Sequence, residues 1–200
     1  FCHQHEISLQ TATGRSLRKQ TPDLEGLVSA RRDEACLDVR VSPAQLERLL
    51  RILDALVKAL DRRGLTVRIA DTSRRPDPVS RGPEHEPFDA TRVQVSGVWI
   101  TLHLVEKLRM ERLIPAEKPW DWKDGARVRY LPKGLLELTA TCGNQQATWL
   151  ERPTRSLEQC LNDVIARLPL LAHRHHEARA AEALDERRRQ EEARRQREEA

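Results

Sequence analysis

Between Ser42 and Gly64 the apolar residues Leu46, Leu49, Leu50, Leu53, Val57 and Leu60 recur every three or four positions, while Glu47, Arg48, Arg51, Asp54, Lys58, Asp61 and Arg62 fall between them. One apolar stripe opposite a charged face predicts an amphipathic helix over 43–63. Its ends carry matching signals. The Ser42 hydroxyl can accept from an orphan backbone N–H, Pro43 lacks the N–H that the first helical position leaves unused, and Gln45 completes a capping box. Arg62 and Arg63 suit the negative end of the helix dipole, and Gly64 can take the left-handed conformation that stops the helix.

The flanking segments change period from 3.6 to 2. Leu37, Val39 and Val41 alternate with Asp38 and Arg40, and Leu65, Val67 and Ile69 alternate with Thr66 and Arg68. Strand, helix, strand is a β-α-β unit; parallel strands in one sheet would be joined by a right-handed crossover. Residues 92–106 read as a hairpin, with Val93 and Val95 before a Ser96-Gly97 turn and Val98, Ile100, Leu102 and Leu104 after it. Trp99 and His103 share its other face, where they can bind a base or a partner, or be covered by the C-terminal helix; cover is the expectation. Residues 107–128 read as basic and irregular. A strand follows Gly134, with Leu136, Leu138 and Ala140 alternating. Gly143-Asn144 is a turn, and 146–151 a last strand containing Trp149.

A second helix, 155–168, has the stripe Leu157, Cys160, Leu161, Val164, Ile165 and Leu168, with Ser156 and Gln159 as its cap and Pro169 expected to kink it. The fold class is therefore α+β: a mixed or antiparallel sheet of about five or six strands, packed on one face by the two helices. Three regions are expected. Residues 1–34 form a helical or irregular segment, with a short helix near 8–19 and a turn at 21–23. Residues 35–168 form the α+β domain, in which the Pro-rich 71–88 is a mobile loop. Residues 169–200 form a charged helical tail.

Charge refines this picture. The chain carries +4 overall, with a pI near 9.1. The tail from Glu177 onward is almost balanced, seven Arg against eight acids, so the excess lies upstream. A basic domain permits nucleic-acid contact. In the tail, Asp185 with Arg189 and Glu191 with Arg195 are favourable i,i+4 pairs, but Leu184 is the only large apolar residue after Leu171, so the pattern is a solvated helix and not a coiled coil. Cys2, Cys36, Cys142 and Cys160 contain no CxxC pair, which argues against a zinc or redox motif and suits a reducing, cytoplasmic setting. No apolar run is long enough for a bilayer, so no membrane partner is expected. The chain starts at Phe1 without a signal-peptide pattern and reads as part of something longer.

Candidate chemistry is sparse. Cys2, His3 and His5 would need a fourth ligand from the fold to make a metal site, and His173, His175 and His176 can bind metal or sense pH but read as exposed tail residues. No metal or cofactor is assigned. The Gly-rich phosphate loop, HExxH and GxSxG patterns are absent from the sequence, so no catalytic residue is named.

Four strings, CLDVRVSPAQLERLLRILDALVKALDRRGLTVRI, VQVSGVWITLHLVEKL, YLPKGLLEL and WLERPTRSLEQCLNDVIARL with its Arg/Glu tail, resemble the C-terminal region of an uncharacterised group of bacterial proteins often met on mobile elements. Members of that group carry an N-terminal helix-turn-helix-like segment, which this sequence lacks, and the Pro-rich 71–88 is longer than the group's connection. The resemblance implies a domain that works downstream of a DNA-binding head. The leading expectation is thus a non-enzymatic, DNA-associated accessory or regulatory module, with Arg109, Arg112, Lys118, Trp120, Trp122 and Lys123 as phosphate and stacking groups. The alternatives are a scaffold that docks a protein partner through the C-terminal helix, and a metal-dependent nuclease with dispersed residues. The oligomeric state is left open.

Overall fold

A 16-residue strand, Val98–Leu113 (β5), is the spine of the molecule, and strands add to both of its edges. The computed structural model describes residues 13–29, 37–69, 91–113 and 127–199. In chain order these are α1 (helical at 13–18), β1 (Val28–Ser29), β2 (Val39–Val41), α2 (Pro43–Asp61), β3 (Thr66–Ile69), β4 (Thr91–Val95), β5 (Val98–Leu113), β6 (Arg127–Cys142), β7 (Gln145–Leu150) and α3 (Leu157–Glu199). The Pro-rich stretch 71–88 and the Cys2, His3 and His5 group lie outside the described residues.

Two strands share one edge of β5 end to end. β4 pairs antiparallel with its first residues, Val98 to Leu102, and β2 pairs parallel with Leu104 and Val105. At the joint the Asp38 N–H donates to Thr91 Oγ1 at 2.7 Å, and the Leu104 N–H donates to the Asp38 carbonyl at 3.3 Å. β6 runs antiparallel along the opposite edge, with β7 outside it, β3 outside β4 and β1 outside β2. Among the described residues the sheet is thus mixed and has seven strands, where five or six were expected; the two residues of β1 are too few to show an alternation. β2 and β3 do run in the same direction in one sheet, but β2 lies against β5 and β3 against β4, so they are not neighbours.

One face of the sheet is apolar. Val93, Val95, Ile100, Leu102, Leu104, Leu136, Leu138, Ala140 and Trp149 are buried there beneath α2 and α3. α2 buries Leu46, Leu49, Ile52, Leu53, Leu56, Val57 and Leu60, a wider stripe than the sequence pattern selects; Leu50 turns instead toward α1, within reach of Gly14. Gly64 ends α2 with φ +71, as anticipated. The Ser42 capping box does not form, because the Ser42 side chain makes no cap bond. Its backbone N–H donates instead to a buried carboxylate, Glu106. At α3 the expected pair does form, the Ser156 N–H donating to Gln159 Oε1 at 3.1 Å. α3 continues through Pro169 as one helix to Glu199. A proline N–H is missing there, yet Leu168, Leu171 and Ala172 on either side are buried in the core, so tertiary packing offsets the lost bond.

Candidate nucleic-acid interface

Residues 107–128 are not the irregular segment that their charge suggested. β5 and β6 continue past the sheet as a two-stranded ribbon of six cross-strand pairs, from Leu108 opposite Pro132 to Leu113 opposite Arg127, about 17 Å long at the usual rise. The period-2 signal was present: Leu108 and Met110 alternate with Arg109 and Glu111, and Val128, Tyr130 and Pro132 alternate with Arg129 and Leu131. Charge masked it. Residues 107–113 and 127–133, the ribbon with one further residue of each strand at its base, hold six basic side chains (Lys107, Arg109, Arg112, Arg127, Arg129, Lys133) and one acid, Glu111. These fourteen residues carry +5, more than the +4 of the whole chain.

Where the ribbon leaves the sheet the register shifts between Glu106 and Leu108, and β6 takes up the extra residues around Gly134, whose φ is +73. Glu106 is 3% exposed and accepts the Gly134 N–H at 2.7 Å and the Ser42 N–H at 2.8 Å. The carboxylate therefore ties the bulge to the start of α2, and β-bulges bend and twist the strand that carries them. On the other side Pro132 lies beside Gly26, in a turn that is formed at Asp23–Gly26, slightly later than the predicted 21–23. Asp23 Oδ1 accepts the N–H groups of Glu25 and Leu27 there, and Arg40 pairs with both Asp23 and Glu25.

Directly opposite residues share a face, so the ribbon has two. Arg109 stands opposite Leu131 and Glu111 opposite Arg129; Met110 stands opposite Tyr130 on the other face. Arg109, Met110, Glu111, Arg129 and Tyr130 are all exposed. Among the described residues no ion pair includes Arg109 or Arg129, whereas Lys107 is held by Glu137 at 2.7 Å. Of the six sequence candidates, Arg109 is thus placed on the open ribbon, and the backbone of Arg112 in its strand, opposite Val128. Lys118, Trp120, Trp122 and Lys123 lie outside the described residues. Arg129 was missed because its strand was expected to begin only after Gly134.

The face of β5 that carries Trp99 and His103 is not covered by the C-terminal helix, because α3 packs on the opposite, apolar face. Each has a local partner instead. The Arg68 guanidinium lies over the Trp99 ring at 5.5 Å, and His103 Nδ1 meets Asp38 Oδ2 at 2.8 Å. Asp38 is 5% exposed, so this carboxylate sits in the joint between β2, β4 and β5 with His103 on its open side.

The tail histidines have structural positions too. His176 Nε2 donates to the Ser96 carbonyl at 3.0 Å. Ser96 and Gly97 both have positive φ, 49° and 84°, as a type I′ turn requires. His175 covers the other hairpin tip: a Cβ on Gly143 would lie 2.7 Å from its Nδ1. The two rings thus rest on the tips of the β4–β5 and β6–β7 hairpins, at the end of β5 opposite the ribbon. His173 pairs with Glu177, at 3.3 Å. Among the described residues no three His, Cys, Asp or Glu side chains come together in a metal-holding group, and no helix is long and apolar enough to cross a membrane. Cys142 and Cys160 are buried free thiols.

The chain matches no family model, no curated protein and no solved structure.

Proposed function

We propose that this protein is a DNA-associated accessory or regulatory module whose contact surface is the β5–β6 ribbon. The observation that supports this reading is the excess of basic residues in the ribbon, four Arg against one Glu over 108–113 and 127–132, with Arg109 and Arg129 exposed. A basic element projecting from a fold is the electrostatic footprint of phosphate binding. The resemblance to the mobile-element group supports the same reading, in which the domain works beside a DNA-binding head in a longer bacterial protein.

A second reading, docking of a protein partner on the distal part of α3, is favoured by one observation: every residue from Arg179 to Glu198 is exposed.

The test is equilibrium binding to random-sequence duplex and single-stranded DNA across a salt series. The expected result is measurable duplex affinity at low salt that falls steeply as salt rises. Absence of binding at low salt overturns the DNA reading and leaves the protein-docking one.

A further inference from the structure

Resting on that reading, we infer that the ribbon enters the major groove of duplex DNA, with its Arg109 and Arg129 face toward the base edges. The shape fits. The major groove, about 12 Å wide, admits a two-stranded β-ribbon into undistorted duplex, whereas the minor groove, about 6 Å wide, takes strands where the DNA is bent or opened. The spacing fits as well. Arg109 stands opposite Leu131 and Arg129 opposite Glu111, so the two arginines are diagonal neighbours across the strands, about 7–8 Å apart at the backbone. Two base-pair steps of B-form DNA rise about 6.8 Å. Arginine forks bidentately onto guanine O6 and N7, the commonest base-specific contact in this groove. Two arginines at this separation therefore address two base pairs with one between them.

Among the described residues, that face favours a duplex over a single-stranded ligand. Binding of single strands relies on aromatic rings on which unpaired bases stack. The residues around Arg109 and Arg129 on their face are Glu111 and Leu131. The ribbon's one described aromatic, Tyr130, is on the other face opposite Met110. The buried Glu106, bonded to both Gly134 and Ser42, fixes the base of the ribbon, so it meets the groove as a preset shape.

The experiment compares one duplex in two forms, unmodified and carrying glucosylated 5-hydroxymethylcytosine, whose sugar fills the major groove; netropsin serves as a minor-groove competitor. The expected result is a loss of affinity of about tenfold or more on the glucosylated duplex, with netropsin without effect, and a similar loss for R109A/R129A on the unmodified duplex. Equal affinity for the two duplexes, displacement by netropsin, or tighter binding to single strands overturns the groove assignment while leaving DNA binding standing. Failure to bind the unmodified duplex at low salt overturns the functional reading itself. Circular dichroism and the thermal midpoint of R109A/R129A, both expected to match the parent because the two side chains are exposed, exclude misfolding as the cause of its weaker binding.

Discussion

Glu106 and Gly134 meet at 2.7 Å where the ribbon leaves the sheet, the Gly134 N–H donating to the Glu106 carboxylate. The other carboxylate oxygen accepts from Ser42 at 2.8 Å, so one buried anion secures both the bulge and the first turn of α2. Replacing it by alanine leaves two backbone donors unpaired in a dry site. Glu106→Ala is expected to lower stability by about 3 kcal/mol, and Glu106→Gln, which keeps one acceptor, by less than half as much. Urea unfolding of the three proteins checks this. Equal stability of Glu106→Ala and the parent would show that the carboxylate does not hold the junction.

Arg48 on α2 is the hub of a second charged cluster. Its Nε and Nη2 donate to Glu158 of α3 at 2.8 and 2.7 Å, and its guanidinium also engages Glu151, whose Oε2 accepts the Leu136 N–H at 3.0 Å. Glu151 is 6% exposed. Removing the cation strands a buried carboxylate, so Arg48→Ala should cost about 3 kcal/mol, and combining it with Glu151→Gln should recover part of that stability. The double-mutant cycle, measured by denaturant midpoint, reads the coupling directly.

The same cluster sets an acid limit. Arg48 bonding holds the Glu158 carboxyl down at about 2 from an ordinary value near 4.5. Burial pushes Glu151 up, but Arg48 and the Leu136 N–H outweigh it and the net shift is downward. Folded values below unfolded ones mean that this stabilisation is complete above about pH 4.5 and is lost as pH falls through the folded values toward 2. Urea midpoints should therefore decline across that window, and Arg48→Ala should flatten the decline. A parent midpoint that stays constant between about pH 5 and pH 3 would contradict the assignment.

Gly143 is constrained twice, by its φ of +56 and by the His175 ring that covers it. Gly143→Ala brings a methyl to 2.7 Å from His175 Nδ1, closer than any stable contact. A destabilisation of about 2 kcal/mol is expected, the sum of left-handed strain and displacement of the ring. His175→Ala in the same chain should restore the displacement share and leave the strain share. If it restores nothing, the ring does not rest on the turn. Removal of residues 179–199, whose described side chains are all exposed, should by contrast leave the thermal midpoint unchanged.

The strongest periodicities in the sequence marked real elements. The α2 stripe, the Ser96-Gly97 and Gly143-Asn144 turns and the Ser156/Gln159 pair all stand in the structure, because each depends on neighbours in the chain. What stayed hidden depends on distant ones. Glu106 reads as the polar end of a hydrophobic strand, and its role appears only when Ser42 and Gly134 arrive from elsewhere. Pro169 reads as a kink, and the burial of Leu168, Leu171 and Ala172 that carries one helix through it is not visible in the local pattern. The ribbon reads as charged loop because its strands lie beyond the core, where alternation no longer separates buried from exposed. Arg109 was selected by its charge, while Arg129, its diagonal neighbour, needed the β5–β6 register.

The most direct test of the ribbon as the DNA contact is the salt dependence of duplex binding for the parent and for R109A/R129A. An arginine that neutralises one phosphate adds roughly one to the slope of log affinity against log salt, and its removal takes that amount away. Because the account places Arg109 and Arg129 on base edges and not on phosphates, it predicts for R109A/R129A an affinity loss of about tenfold or more at each salt concentration with a slope close to that of the parent, while substitution of Arg179 and Arg187 on the distal part of α3 leaves both affinity and slope unchanged. Parent-like affinity of R109A/R129A, with the fold intact, would contradict the ribbon as the contact surface.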